Sequence, residues 1–254
     1  MDPLVLFGLA VASFFSGAVN AVAGGGTLIA FPALIAFGFD PKVANVTSKV
    51  AIWPGTVGGA LAYRGELKQR RRRIILLTIP AIIGALAGSV LLLMSSEQLF
   101  NVVVPHLVIL SSVLLAVDRP LSKIAARAGM TATNADHIPP ALHIAIFFVS
   151  IYGAYFGAGL GILVLSAMSI FAADDIQHAN AVKGILQLLV NFVALVVFSL
   201  FGPVQWLAAV LMAAFALTGG YAGVAVARRV PAAQLRWGMV VWGLLLGLKL
   251  LFFP

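Results

Sequence analysis

The sequence predicts an all-α fold, a polytopic transmembrane helical bundle made of two inverted five-element repeats with glycine-broken short helices. The first observation behind this is composition: 62% of the residues are hydrophobic, only 9% are charged, and the mean hydropathy is +1.08. A soluble globular chain carries roughly 25% charged residues, so that class is excluded. The second is the distribution of charge. Residues 3–39, 74–96, 98–117, 138–173 and 184–227 contain no Asp, Glu, Lys or Arg. A hydrocarbon core about 30 Å thick needs roughly 20 such residues per helix, so the longer runs hold two elements each. The third is self-similarity. Gly24, Gly26, Leu28, Asp40, Ala44 and Asn45 recur as Gly159, Gly161, Leu163, Asp175, Ala179 and Asn180, all at an offset of 135 residues.

Ten elements follow in order. The first, 4–23, begins after Met1-Asp2-Pro3, which lacks the basic start of a signal peptide. It is also too long for one, so it is expected to stay in the mature protein. The second, 26–38, is cut off from the first by Gly24-Gly25-Gly26. The third, 42–63, starts after Asp40-Pro41, an N-cap followed by a proline at the first helical position. The fourth, 74–95, and fifth, 99–117, are apolar runs lying between clusters of basic residues. The sixth, 140–157, ends in Gly157-Ala158-Gly159-Leu160-Gly161, and the seventh, 160–173, is short like the second. At about 1.5 Å per residue the two short elements reach roughly 20 Å, which leaves open whether they span or re-enter. The eighth, 177–200, follows Asp175-Ile176 as the third follows Asp40-Pro41; the ninth and tenth occupy 204–227 and 236–253. Gln98-Leu99 recurs as Gln234-Leu235 before the last element of each half. The whole chain, 1–254, reads as a single membrane domain: repeat 1 over about 1–118, a cytoplasmic linker over about 119–137, and repeat 2 over about 138–254.

An odd number of crossings per repeat inverts the second copy relative to the first. Charge supports the same conclusion independently. Placing loops 64–73, 118–139 and 228–236 in the cytoplasm collects 12 of the 16 Lys and Arg residues there, with both termini and loop 39–44 outside. The net charge of +8 is therefore explained by topology and headgroups, and no nucleic-acid partner is expected. The chain is expected to cross its membrane several times.

Polar residues inside the apolar elements are the candidates for function. Asn45 and Asn180 lie about one turn inside the third and eighth elements, and Lys49 and Lys183 about two turns. Asn180, Lys183, Gln187 and Asn191 make one helical stripe, while Asn45, Lys49, Trp53 and Thr56 make another, with Thr47 and Ser48 beside it. A lysine at the centre of a membrane helix costs at least about 2.5–3.5 kcal/mol, so it persists where it faces a wet cavity, a partner or an anion, or where it snorkels to the interface. Gly24, Gly25 and Gly26, with Gly159 and Gly161, serve either close helix packing or a chain break that turns helix-start amides toward an anion. Asp40 and Asp175 read as N-caps, with a coupling-ion role as the alternative. All eight acidic residues fall at or near loops or helix ends, so no buried carboxylate relay is visible. His106 and His143 are candidates for proton transfer or for ordinary packing; Tyr152 and Tyr155 offer hydroxyls to packing or to a cavity. Cysteine is absent. No metal and no cofactor are expected, and no catalytic constellation is present, so the chain does not read as an enzyme.

Gly24-Gly25-Gly26-Thr27-Leu28 with Pro32, then Ala44-Asn45-Val46-Thr47-Ser48-Lys49 and Pro54-Gly55-Thr56, resembles the first half of the sulfite exporter TauE/SafE family. The stretch from Gly157 to Gly161, followed by Ala179-Asn180, resembles its second half. The likeness covers essentially the whole chain. It implies a bacterial inner-membrane transporter, in a family several of whose members are associated with export of sulfite or small organosulfonates. The second copy departs from the first: it reads Gly159-Leu160-Gly161 without a third consecutive glycine, has Ala167 where the first has Pro32, and has Val182 where the first has Thr47, which leaves the second half-site less polar. The expectation is a secondary transporter of a small anion, with a midplane site formed by the glycines, asparagines, lysines, Thr47, Ser48 and Gln187 named above. The alternatives are an intramembrane enzyme or an assembly subunit. The expected partners are the anion and the lipid bilayer, with a homo-oligomer left open.

Overall fold

The computed structural model describes residues 2–23, 25–62, 71–127, 138–172, 176–227 and 232–252. Among them are ten α-helices: α1 (Pro3–Ala23), α2 (Thr27–Ala36), α3 (Pro41–Ala62), α4 (Arg71–Met94), α5 (Glu97–Arg127), α6 (Pro140–Tyr155), α7 (Leu160–Phe171), α8 (Ile176–Phe201), α9 (Trp206–Ala227) and α10 (Ala232–Phe252). The described residues hold no strand. Three stretches are long and apolar enough to cross a membrane, namely Pro3–Ala21, Arg71–Met94 and His178–Phe201. Each predicted element is present, with shifted ends. Helix α5 runs ten residues past its expected end at 117, through Asp118, Arg119 and Lys123. Apolar length registers where lipid ends, whereas a helix stops only where its hydrogen bonding is interrupted.

The surface is the inverse of a soluble protein's. Leu4, Phe7 and Phe15 of α1, Ile75, Ile79, Ile83 and Val90 of α4, and Trp206, Leu207 and Val210 of α9 all face outward, while Asn20, Asn45, Lys49, Gln187 and Asn191 are inside. An apolar exterior of that extent needs hydrocarbon around it. The two short helices lie deepest. Helix α2 buries Leu28, Phe31, Pro32 and Leu34, and α7 buries Leu160, Ile162, Val164 and Met168. Phe31 of α2 meets Phe156, just beyond α6, edge to face at 5.5 Å between centroids.

The five helices before residue 128 and the five after 137 follow one pattern. In each set the second helix, α2 or α7, is the short one and lies between a glycine-containing turn and a longer helix. The principal contacts cross between the two sets: α1 packs on α9, and α6 packs on α4. Close approach at glycine makes both possible. Gly219 of α9 lies against the carbonyl oxygen of Phe14, and Gly84 of α4 against that of Phe147, with no room for a Cβ at either position. Those two glycines are themselves 135 residues apart. Helices α3 and α8 meet at corresponding points, where Trp53 Nε1 donates to the carbonyl oxygen of Leu188 at 3.3 Å.

Proline in α2 shows how local chemistry is repaired by a distant helix. Pro32 lacks the N–H that would bond Leu28 C=O within the helix, leaving a buried orphan acceptor. Trp242 of α10 donates its indole N–H to that oxygen at 3.1 Å. The second set has Ala167 at the matching place, with its own N–H, and Leu107 at the position matching Trp242.

Candidate functional site

Both chain breaks are built tightly. After α6 the chain turns through Gly157 at φ +82° and Gly159 at φ +75°, a left-handed region that glycine enters without a Cβ penalty. The amides of Phe156 and Gly157 bond back to Tyr152 C=O at 2.9 and 3.1 Å. The amides of Ile162 and Leu163 then start α7 on Gly159 C=O. In the first break, Gly25 and Gly26 are buried, and Ser16 of α1 donates its hydroxyl to Gly26 C=O at 2.8 Å. A Cβ at Gly26 would sit 2.5 Å from the Ser16 carbonyl oxygen and 2.7 Å from Asn20 Cβ. Gly24 lies outside the described residues, as does Asp175.

The polar stripe of α3 reaches the second break. Asn45, with no exposed surface, donates its amide N–H to Tyr155 C=O at 2.8 Å. Lys49, 3% exposed, donates its ammonium to Gly153 C=O and packs against the Cα of Gly157. Ser48 is buried and donates to Asn45 C=O at 2.9 Å within its own helix. The stripe of α8 reaches the first break. Gln187 bonds Asn20, in the last turn of α1, with 3.2 Å between Nε2 and Oδ1. Lys183, 8% exposed, donates to Asn180 Oδ1 at 3.0 Å, one turn before Gln187. Both lysine side chains are buried and bond to groups within the bundle.

Not every candidate joins these two centres. Thr47 is buried, and its hydroxyl accepts the Gln205 amide at 3.1 Å, tying α3 to the start of α9. Two positions from Lys49 or Asn45, it faces about 200° away around the helix. Gly161 is buried in the first turn of α7. Asp40 begins α3, its carbonyl accepting the Ala44 amide at 2.8 Å, and its side chain is exposed. His106 is exposed, with Nδ1 2.9 Å from Val102 C=O; Nδ1 of His143 lies 3.3 Å from Pro139 C=O. Both contacts stay within a helix or its first turn. The tyrosine hydroxyls bond within the bundle. Tyr152 bonds Ser111 and donates to Ala158 C=O at 2.8 Å, while Tyr155 pairs with Ser95 at 3.2 Å. Lys42 caps the end of α4 on Leu93 and Ser95 C=O, where the helix dipole favours a cation.

Sequence reading missed Asn20, Ser16, Gly153 and the carbonyl of Tyr155. Asn20 carried a signal: it is an amide in an apolar run, four residues before the first glycine of a break. Gly153 and Tyr155 carried none, because they contribute backbone oxygens.

An all-helical bundle with an apolar exterior, short helices in its interior and lysines inside it defines a polytopic membrane protein. The family model described as sulfite exporter TauE/SafE matches residues 9–250, and the chain belongs to that family. Among curated relatives, a "Probable membrane transporter protein ORF9" from Sinorhizobium sp is 24% identical over 250 residues, covering 97% of this chain and 92% of the relative. A "Probable membrane transporter protein" from Haemophilus influenzae is 21% identical, covering 94% and 91%. The "Probable membrane transporter protein YfcA" of Escherichia coli strain K12 is 24% identical, covering 99% and 91%. No solved structure matches the chain.

Proposed function

We propose that the chain is a secondary transporter of a small anion such as sulfite or an organosulfonate, working in export across the bacterial inner membrane. The observation that carries this reading is the burial of two lysines, Lys49 at 3% and Lys183 at 8% exposure, on polar stripes whose other members bond into the two breaks. Positive charge inside an apolar bundle is costly and is kept where an anion uses it. The substrate-binding residues of the proposal are Gly24, Gly25, Gly26, Asn45, Ser48, Lys49, Gly159, Gly161, Asn180, Lys183 and Gln187. Thr47 acts one step removed, by holding α3 to α9. Two five-helix repeats, inverted in the membrane, rock about these centres to give alternating access. The sequence motif repeated at an offset of 135 residues and the packing of each set of helices on the other support that motion.

Proteoliposomes loaded with labelled sulfite test it, with sulfate and acetate as competitors. Sulfite flux in wild-type vesicles, cut at least tenfold in the Lys49→Met, Lys183→Met double variant, is the expected result. Undiminished flux in a folded double variant would move the site elsewhere. Absence of flux for every small anion would leave the assembly-subunit alternative.

A further inference from the structure

Helix α1 turns two polar side chains inward. Ser16 and Asn20, one turn apart on one face, are both buried. That face lies against the first break. Ser16 donates to Gly26 C=O, and Asn20 packs so closely on Gly26 that a Cβ at residue 26 would stand 2.7 Å from Asn20 Cβ. The same face meets α8, where Gln187 Nε2 donates to Asn20 Oδ1 at 3.2 Å. With its oxygen engaged, Asn20 has its N–H donors left over. Nδ2 is fully enclosed and has no hydrogen-bond partner among the described residues, in a side chain 7% exposed. A buried donor without an acceptor is destabilising, so one that the fold retains calls for a partner that the chain itself does not supply.

The groups joined to Asn20 favour negative charge. Lys183 stands one turn before Gln187 on the same face of α8, with its ammonium on Asn180 Oδ1 at 3.0 Å. Gly26 opens α2 without a side-chain cap, and the positive end of that helix dipole lies at the break. The first amides of α2, from Leu28, Ile29 and Ala30, close on Gly25 and Gly26 C=O, so a ligand's hydrogen bond has to come from a side chain. Helices α1, α2 and α8 contain no Asp or Glu. We infer that Asn20 donates its spare N–H to the transported anion, taking one oxygen while Lys183 supplies the charge, so that α1 is part of the binding site. The inference rests on the transport reading above and adds a residue to it. The partner it calls for is an oxyanion, with an oxygen free to accept. At the matching position the second half has Tyr155, which gives the other break a backbone oxygen and no donor.

Asn20→Leu and Asn20→Asp test this in the full chain, by sulfite titration of the Tm in detergent and by flux in proteoliposomes. The first variant keeps the size and removes the donor. The second keeps an oxygen for Gln187 and puts an acceptor where the donor was. Sulfite should raise the wild-type Tm saturably. Asn20→Leu should raise both the half-saturating sulfite concentration and the KM for flux about tenfold or more, with maximal flux changed less. Asn20→Asp should show no saturable rise. A residue that only supports the fold would instead lower Tm and maximal flux while leaving half-saturation and KM in place; that result overturns the inference, as does failure of both variants to fold. Wild type that is stabilised by sulfite but cannot carry it would sink the transport reading and leave Asn20 to be judged on half-saturation. Wild type that neither responds to nor carries sulfite, sulfate, acetate or methanesulfonate sinks both.

Discussion

Lys49 shows what a single residue needs in order to keep a charge inside hydrocarbon. Its ammonium is held by one backbone oxygen, and glycine at 157 gives it room. Gly157 therefore carries two constraints, a left-handed φ of +82° and the proximity of Nζ. Gly38 carries only the first: φ is +84°, and a Cβ there would meet nothing within 4 Å. Replacing each by alanine separates the effects. Gly38→Ala should cost about 1 kcal/mol in backbone strain and leave anion flux unchanged. Gly157→Ala should cost about 1–3 kcal/mol and cut flux to the level of Lys49→Met, because the ammonium must move. Thermal unfolding and vesicle flux, measured on both variants, check this; full flux in Gly157→Ala would show that the amine's position is immaterial.

At the scale of elements, the short helices depend on neighbours for hydrogen bonds that they lack. Helix α2 contains Pro32 and borrows the indole of Trp242 for Leu28 C=O. Trp242→Phe keeps a ring and strands the buried acceptor, so a loss of about 1–3 kcal/mol is expected. Pro32→Ala restores an N–H four residues after Leu28, making the indole redundant. The double variant should therefore be more stable than Trp242→Phe alone, a coupling that a thermal double-mutant cycle reads directly. Additive losses would show that Trp242 acts through packing alone. This link was half legible in the sequence. Pro32 announced a missing donor, and the substitution of Ala167 in the second copy announced that only one copy needed help. Nothing in the spacing named a residue 210 positions later, because the pairing exists only once α10 is packed beside α2.

At the scale of the whole molecule, the proposed inversion fixes the sidedness of every loop. Because the chain has no native cysteine, single cysteines placed at residues 70 and 42 report that sidedness cleanly. Residue 70 should be labelled only from the cytoplasmic side, and residue 42 should show no cytoplasmic labelling. External labelling at 70 would overturn the orientation, which rests on the bias of basic residues to the inside.

By itself, the sequence determined that this is an all-helical membrane chain, because burial in hydrocarbon demands continuous apolar length and internal backbone bonding. It also placed the breaks and the polar stripes, since glycine clusters and helical periodicity are local properties. What only the tertiary structure decided is which stripe meets which break. Asn45 and Lys49 were expected in one midplane site with the glycines of both breaks; the partners they bond are Tyr155 and Gly153 of the other half, and Gln187 likewise crosses to Asn20. Spacing orders residues along one helix but says nothing about the helix that packs against it. That choice belongs to the glycine contacts of α1 with α9 and of α4 with α6, which set the two halves into one another.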